Sequence, residues 1–391
     1  MPFSARTGFF SGGVVANDFD FPTWNTAPSQ ADYLTEVGSW SNTSVATTTL
    51  ISPGFSMNHR GVIGHPNGNL YMIPRNVQYF VEIDPVNDVY TQMTSHGVLG
   101  SNNYTGGAIG HNGNIYVAPF GSGQPIVEFD PVNDVASQLT LTGMPSSYSY
   151  YGAYTLPSGN ILFQPRTTSG PYLKYTPGAS SIEQLSESLT SDFGHSGGCV
   201  GFDGKFYACP QNQADFRVYN ESGNSWTTFA TSSLSGANRY TGFANGNDGK
   251  IVGVPHSQGY VCILDTTSNS LVEYSASQLG LNYTSTAYIG PTTGSDGKVY
   301  ALPFNESDML VVDTAANSYT QIATSGSSSF TIGAGATKEG YIYSARVNGS
   351  HFMRVDTNYD AVNSYGAPYT NSSSANTIFS AHISHSLNKG P

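Results

Sequence analysis

Gly107-Ala-Ile-Gly-His-Asn-Gly113-Asn-Ile-Tyr-Val-Ala-Pro119 holds two short apolar runs joined by a polar turn. The chain then passes through a loop, Phe120 to Gln124, into Ile126-Val-Glu-Phe-Asp130. It turns at Pro131-Val-Asn-Asp134 and closes with Val135-Ala-Ser-Gln-Leu139. β-Branched and aromatic residues fill the runs, and Gly, Asn, Asp and Pro fill the gaps. That is the pattern of four strands, a to d, in an antiparallel meander. The phrase recurs around Gly68, Gly113, Gly159, Gly204, Gly249, Gly297 and Gly340, at intervals between 43 and 48 residues. A period in that range marks a repeat architecture. Four-stranded units of about 45 residues arranged in a ring are the blades of a β-propeller.

The a–b turns (Asn67-Gly68, Asn112-Gly113, Asp203-Gly204, Asp248-Gly249, Asp296-Gly297) suit two-residue hairpins with φ > 0. Asp84, Asp130, Asp265, Asp313 and Asp356 open the c–d turns, where an aspartate bonds its own backbone two residues on. The termini suggest how the ring shuts. Leu34–Val37 and Val45–Leu50 read as strands c and d, Asp18–Trp24 as a weaker strand b, and Thr377–Ser386 as strand a. Seven complete units plus this composite N/C-terminal blade predict eight blades. The alternative is seven blades plus extra terminal strands. Residues 1–17 read as an N-terminal arm and 18–391 as a single all-β propeller domain.

Charged residues make up only 10% of the chain, against the usual quarter. The surface must therefore be built from Ser, Thr, Asn, Gly and Tyr. A net charge of −12 repels nucleic-acid phosphates, so no nucleic acid is expected as partner. No apolar segment approaches 20 residues, so no membrane span is expected. The residues after Met1 lack the apolar core of a signal peptide. Cys199, Cys209 and Cys262 read as small buried apolar residues. A two-residue hairpin would put Cys199 and Cys209 on opposite faces. No His-x-x-x-His, carboxylate cluster or Cys-x-x-Cys pair is present, so no metal or cofactor is expected. Gly194-His-Ser-Gly-Gly198 spells a nucleophile elbow but lacks the strand-to-helix context that the motif needs.

The Gly-Asn-Ile-Tyr116 and Glu-Phe-Asp-Pro131 phrases are similar to repeats of virginiamycin B lyase-like and NHL-like propellers. The Trp-Asp pairs of WD40 blades and the double glycine of kelch are absent. The resemblance covers about residues 34 to 386 and implies the fold, not a site. The composition resembles that of tailed-phage virion proteins.

A meander puts the repeated a–b and c–d turns on one rim and the longer, varied b–c and d–a connections on the other. Recognition is expected on the second rim. Just after strand b come Arg75, Phe120, Arg166, Gln211, His256, Phe304 and Arg346. At the entry to strand a come His59, Arg60, Tyr104, Tyr150, Tyr151, His195, Arg239, Tyr240, Tyr288 and Phe330. Arg and Tyr are the residue types enriched in binding hot spots. The rigid scaffold, the low-charge Tyr/Ser/Asn surface and the lack of a secretion signal point to a non-enzymatic virion component of a phage or virus, on a virion or extracellular. Its mouth would contact other virion or surface proteins, or a host glycan. The alternatives are a channel-mouth lyase or hydrolase acting on a polysaccharide or cyclic ester, with His59, His195, Arg239 and Tyr240 as its acid–base set, and a secreted microbial adhesin.

Overall fold

The computed structural model describes residues 46–97, 103–146, 149–168, 170–246, 248–281, 287–294, 296–324, 331–337, 340–346, 349–357, 371–372 and 375–376. They form a ring of seven four-stranded antiparallel blades. Blade 1 runs His59–Gly64, Leu70–Pro74, Tyr79–Asp84 and Val89–Ser95 from the channel outward. Blades 2 to 6 repeat this order from Tyr104, Tyr150, His195, Tyr240 and Thr292. The single helix among the described residues is one turn, α1 (Ala276–Leu279), held by a capping box between Ser275 and Gln278.

Blade 7 corrects the expected count of eight and bears out the alternative of seven. Its strands Thr331–Ala336, Tyr341–Arg346 and Phe352–Asp356 supply a, b and c. The fourth strand is β1 (Thr47–Ile51), which pairs antiparallel along the third from Thr47↔Asp356 to Ile51↔Phe352. The N-terminal segment expected as strand d is therefore the missing d of the Gly340 repeat, not part of an eighth unit. Seven glycines mean seven blades. The other expected terminal strands, Asp18–Trp24, Leu34–Val37 and Thr377–Ser386, and the expected arm over residues 1–17 lie outside the described residues. Two short C-terminal strands pair with innermost strands. Asn371–Ser372 lies between those of blades 1 and 7, and Ala375–Asn376 runs beside that of blade 4.

Burial falls from the channel outward. The two inner strands of blade 1 are buried at every residue, whereas its outer strand Val89–Ser95 only half-buries Tyr90, Met93 and Thr94. Each blade buries its faces against its neighbours. Ile63, Tyr71 and Phe80 of blade 1 meet Ile109, Val117 and Phe129 of blade 2 in one core. There Phe80 and Phe129 stack at 4.2 Å. Comparable cores join every adjacent pair, including Val62 and Leu70 of blade 1 with Tyr343 and Phe352 of blade 7. Each buried aromatic contributes roughly 1.5–3 kcal/mol. The ring therefore closes by hydrophobic contact as well as by β1.

The a–b turns differ in type from the expected two-residue hairpin. The Gly113 amide donates to Gly110 O at 2.9 Å, and the Gly110 amide to Asn114 O at 2.8 Å. Only Gly113 has positive φ, at 82°, so the loop is a three-residue turn ending in a left-handed glycine. The extra residue shifts the register, and Cys199 lies opposite Tyr207. Cys199 and Cys209 thus share one buried core with Cys262, all three as free thiols. The polar side chains of this rim are occupied internally. Asn112 and Asn114 donate to Glu128, which also accepts from the Tyr116 hydroxyl at 2.5 Å. Asn67, Asn69, Tyr71 and Glu82 repeat that network one blade earlier. Asp265 follows the expected turn chemistry by accepting from the Ser268 and Thr267 amides.

Candidate functional site

On the opposite rim, the first residue of each innermost strand pairs with the last residue of the next. The pairs are His59↔Pro74, Tyr104↔Pro119, Tyr150↔Pro165, His195↔Pro210, Tyr240↔Pro255 and Thr331↔Arg346. An isolated bridge, Tyr288↔Pro303, completes the set. Directly after this pair the register shifts, the signature of a β-bulge. A glycine two residues on takes positive φ in six of the blades, for example Gly61 at 95° and Gly242 at 92°. A β-carbon on Gly242 would lie 2.8 Å from Pro291 of the next blade, so the position needs both the backbone freedom and the space. The bulge splits the expected ring of mouth residues in two.

First positions point into the blades. His59 and His195 are buried, and each donates from Nε2 to a strand-c carbonyl, Tyr79 O at 3.0 Å and Asp215 O at 2.9 Å. Burial lowers both imidazoles to about 4, so they are neutral at physiological pH. Tyr104 donates to Pro125 O, Tyr240 to Glu273, and the Tyr288 hydroxyl accepts from Gln321. Tyr150 packs in the core of blades 2 and 3. Arg239 donates to the carbonyls of Leu234, Gln211 and Gln213, so its guanidinium is used to hold its own loops. His256 shares a hydrogen bond of 2.7 Å with Ser257 and is lowered to about 4 by burial. The Arg346 Nε is buried without a partner among the described residues, and Phe330 lies outside them.

Second positions reach toward the neighbouring blade. Thr105 Oγ1 donates to Tyr151 O, a second position, and Thr241 Oγ1 to the carbonyl of Tyr288, the first position of the next blade. Ile289 and Ile332 pack with Phe304 into a small apolar patch. Between blades 1 and 4 the same ring carries a different cluster. The Arg60 guanidinium carbon lies 5.1 Å from the Phe120 ring centre and 4.7 Å from that of Tyr151. The Arg166 carbon lies 4.4 Å from Phe120 and 5.1 Å from Phe193. Phe193 in turn meets Tyr151 edge-on at 5.8 Å. Two arginines and three aromatic rings thus interleave, each cation over a ring face.

Arg75 stands close enough for Arg60 to act on it electrostatically. Burial and that repulsion both lower its affinity for its proton, with Tyr151 acting against them. Arg166 is lowered by burial and by Arg60 in the same way, and Asp192 and Tyr151 compensate in part. The Asp192 carboxylate already accepts from the Thr168 amide at 2.7 Å and from its hydroxyl at 3.1 Å. Arg166 donates to Phe120 O and Ser149 Oγ. Among the described residues no carboxylate pairs with Arg60, Arg75 or Arg166, and the Nε of all three is buried without a hydrogen-bond partner.

The expected binding set therefore separates. Arg60, Arg75, Tyr151 and Arg166 come together with Phe120, while His59, Tyr104, Tyr150, His195, Tyr240 and Tyr288 belong to blade cores. Two features escaped the sequence reading. One is the triplet His59-Arg-Gly61, Tyr104-Thr-Gly106, Tyr150-Tyr-Gly152 and its four later copies, whose middle residue marks the mouth. The other is Phe193, held at φ 51°, a backbone conformation that costs a bulky residue energy and recurs at functional sites.

No protein-family model matches the sequence. No curated protein matches it either. Solved structures do. Virginiamycin B lyase from Staphylococcus aureus superposes with a TM-score of 0.65 at 13% identity, over 80% of this chain and 99% of that one. A fungal alcohol oxidase of the AA5 family, in complex with copper, gives 0.60 at 12%, over 80% and 76%. The extracellular domain of a hybrid two-component system from B. thetaiotaomicron gives 0.60 at 13%, over 79% and 42%. A lyase, an oxidase and a sensor domain share the blades but not an activity, so at these identities the likeness identifies the chain as a β-propeller and goes no further.

Proposed function

We propose that this protein is a recognition propeller that binds its partner at the channel mouth on the b–c/d–a rim. The observation that carries the reading is the Arg60–Phe120–Arg166–Phe193–Tyr151 cluster. It breaks the sevenfold repeat, and the Nε groups of Arg60 and Arg166 within it are buried without a hydrogen-bond partner among the described residues. Arg and Tyr in a desolvated setting are the chemistry of interface hot spots. The partner class that fits is a neighbouring protein surface or a glycan. A virion or extracellular setting rests on the low-charge, Tyr- and Asn-rich composition.

A glycan array and surface binding to candidate partner proteins test the proposal. Tyr151→Ala is expected to weaken binding by about tenfold or more. Lys205→Ala, Lys250→Ala and Lys298→Ala, on the opposite rim, are expected to leave it unchanged. Binding lost in the lysine variants and kept in Tyr151→Ala would place recognition on the wrong face.

A second reading, a lyase or hydrolase, draws on His256. Its imidazole is neutral near physiological pH, as a general base must be, and it follows strand b at the mouth. Turnover abolished in His256→Ala, with binding retained, would favour that reading.

A further inference from the structure

We propose that the bay where blades 1, 2 and 3 meet the channel binds an oxyanion, a carboxylate or sulfate group carried by an acidic ligand. This rests on the recognition reading and names the chemistry of its ligand. Arg60 is only 6% exposed, its Nε is buried without a hydrogen-bond partner, and no carboxylate pairs with it among the described residues. Its contacts are the faces of Phe120 and Tyr151. Ring faces attract a cation but accept none of the five N–H bonds that a guanidinium offers. A buried charge without acceptors is costly, and two more arginines beside it add repulsion. The cost is removed by a group that brings negative charge and several lone pairs at once. Carboxylate and sulfate do this in the fork geometry of a guanidinium. The rings fix the planes of Arg60 and Arg166 against Phe120, so the fork is oriented before the anion arrives. Phe193, in its left-handed backbone conformation, closes the far side of Arg166. The chain's net charge of −12 disfavours a long polyanion but leaves a small anionic group free to enter a local positive bay.

The test uses the whole protein and three probes, sodium sulfate, sodium glucuronate and sodium chloride, at matched ionic strength. Sulfate also stabilises proteins by exclusion, but that effect grows without saturating. Bound anion is expected to add a saturable rise in melting temperature of several degrees. Arg60→Met and Arg75→Met are expected to lose the saturable part. Without added oxyanion, Arg60→Met is expected to melt at or above the wild-type temperature, because it removes an unpaired buried charge. A response to glucuronate alone assigns the source as a carboxylate, and one to sulfate alone assigns a sulfate ester. The inference is overturned by no saturable response in the wild type, by a saturable response in both variants as large as the wild type's, or by an Arg60→Met protein that melts several degrees lower in chloride. If it falls while Tyr151→Ala still abolishes partner binding, the recognition reading stands without it.

Discussion

Phe193 shows what one residue contributes at the mouth. Its amide donates to Arg166 O at 2.7 Å, and its ring covers the Arg166 guanidinium and the edge of Tyr151. The positive φ that aims the ring would cost a glycine little. Phe193→Gly is therefore expected to change stability by less than about 1 kcal/mol, since relief of backbone strain offsets the lost ring contact. Partner binding should fall sharply in the same variant. A urea titration alongside the binding assay checks both. A large loss of stability with intact binding would make Phe193 a packing residue.

At the scale of the strand, β1 carries closure. Five residues pair along the edge of Phe352–Asp356, while their side chains stay mostly exposed, so the ladder rather than burial holds them. A protein lacking residues 1–51 is expected to melt several degrees lower and to associate, because the uncovered strand presents unpaired amides and carbonyls. An unchanged midpoint and a monomeric elution profile would show that the blade cores close the ring alone. How far such elements could be read from the sequence differed with their physics. The seven turn glycines, such as Gly113 and Gly297, announced each blade because a left-handed turn position admits little else. The count failed at the seventh repeat, where Thr47–Ile51 comes from the other end of the chain and no local spacing records the pairing. Arg60, Tyr151 and Arg166 were visible as residue types. Their convergence was not, because a bulge of one residue decides whether a side chain faces the core or the channel. That is why His59 and Arg60, adjacent in the chain, have opposite fates.

For the whole molecule, the buried histidines set the response to acid. His59 and His195 titrate near 4 when folded and near 6.5 when unfolded. Between those values the unfolded chain binds more protons. The stability they contribute is present above about pH 6.5 and lost as pH falls toward 4, by as much as about 3 kcal/mol each. Asp296 opposes this. Burial raises its carboxyl to about 6, so its contribution is full below pH 3.8 and lost as pH rises through 6. Urea midpoints at pH 7, 5.5 and 4.5 are expected to fall steadily. Asp296→Asn should steepen the fall and His195→Gln should flatten it. Parallel curves for all three proteins would place the acid sensitivity elsewhere.

The clasp between Thr47 and Asp356 also has a consequence for biosynthesis. Thr47–Ile51 leaves the ribosome before blade 1 and has no partner until the Gly340 repeat follows it. Six blades can assemble in order meanwhile, each on the one before. The waiting strand and the edge it will cover belong to the same chain, but the edge of a neighbouring nascent chain has the same shape. Crowding on one messenger therefore favours exchange of this strand between molecules, so that two rings each carry the other's clasp.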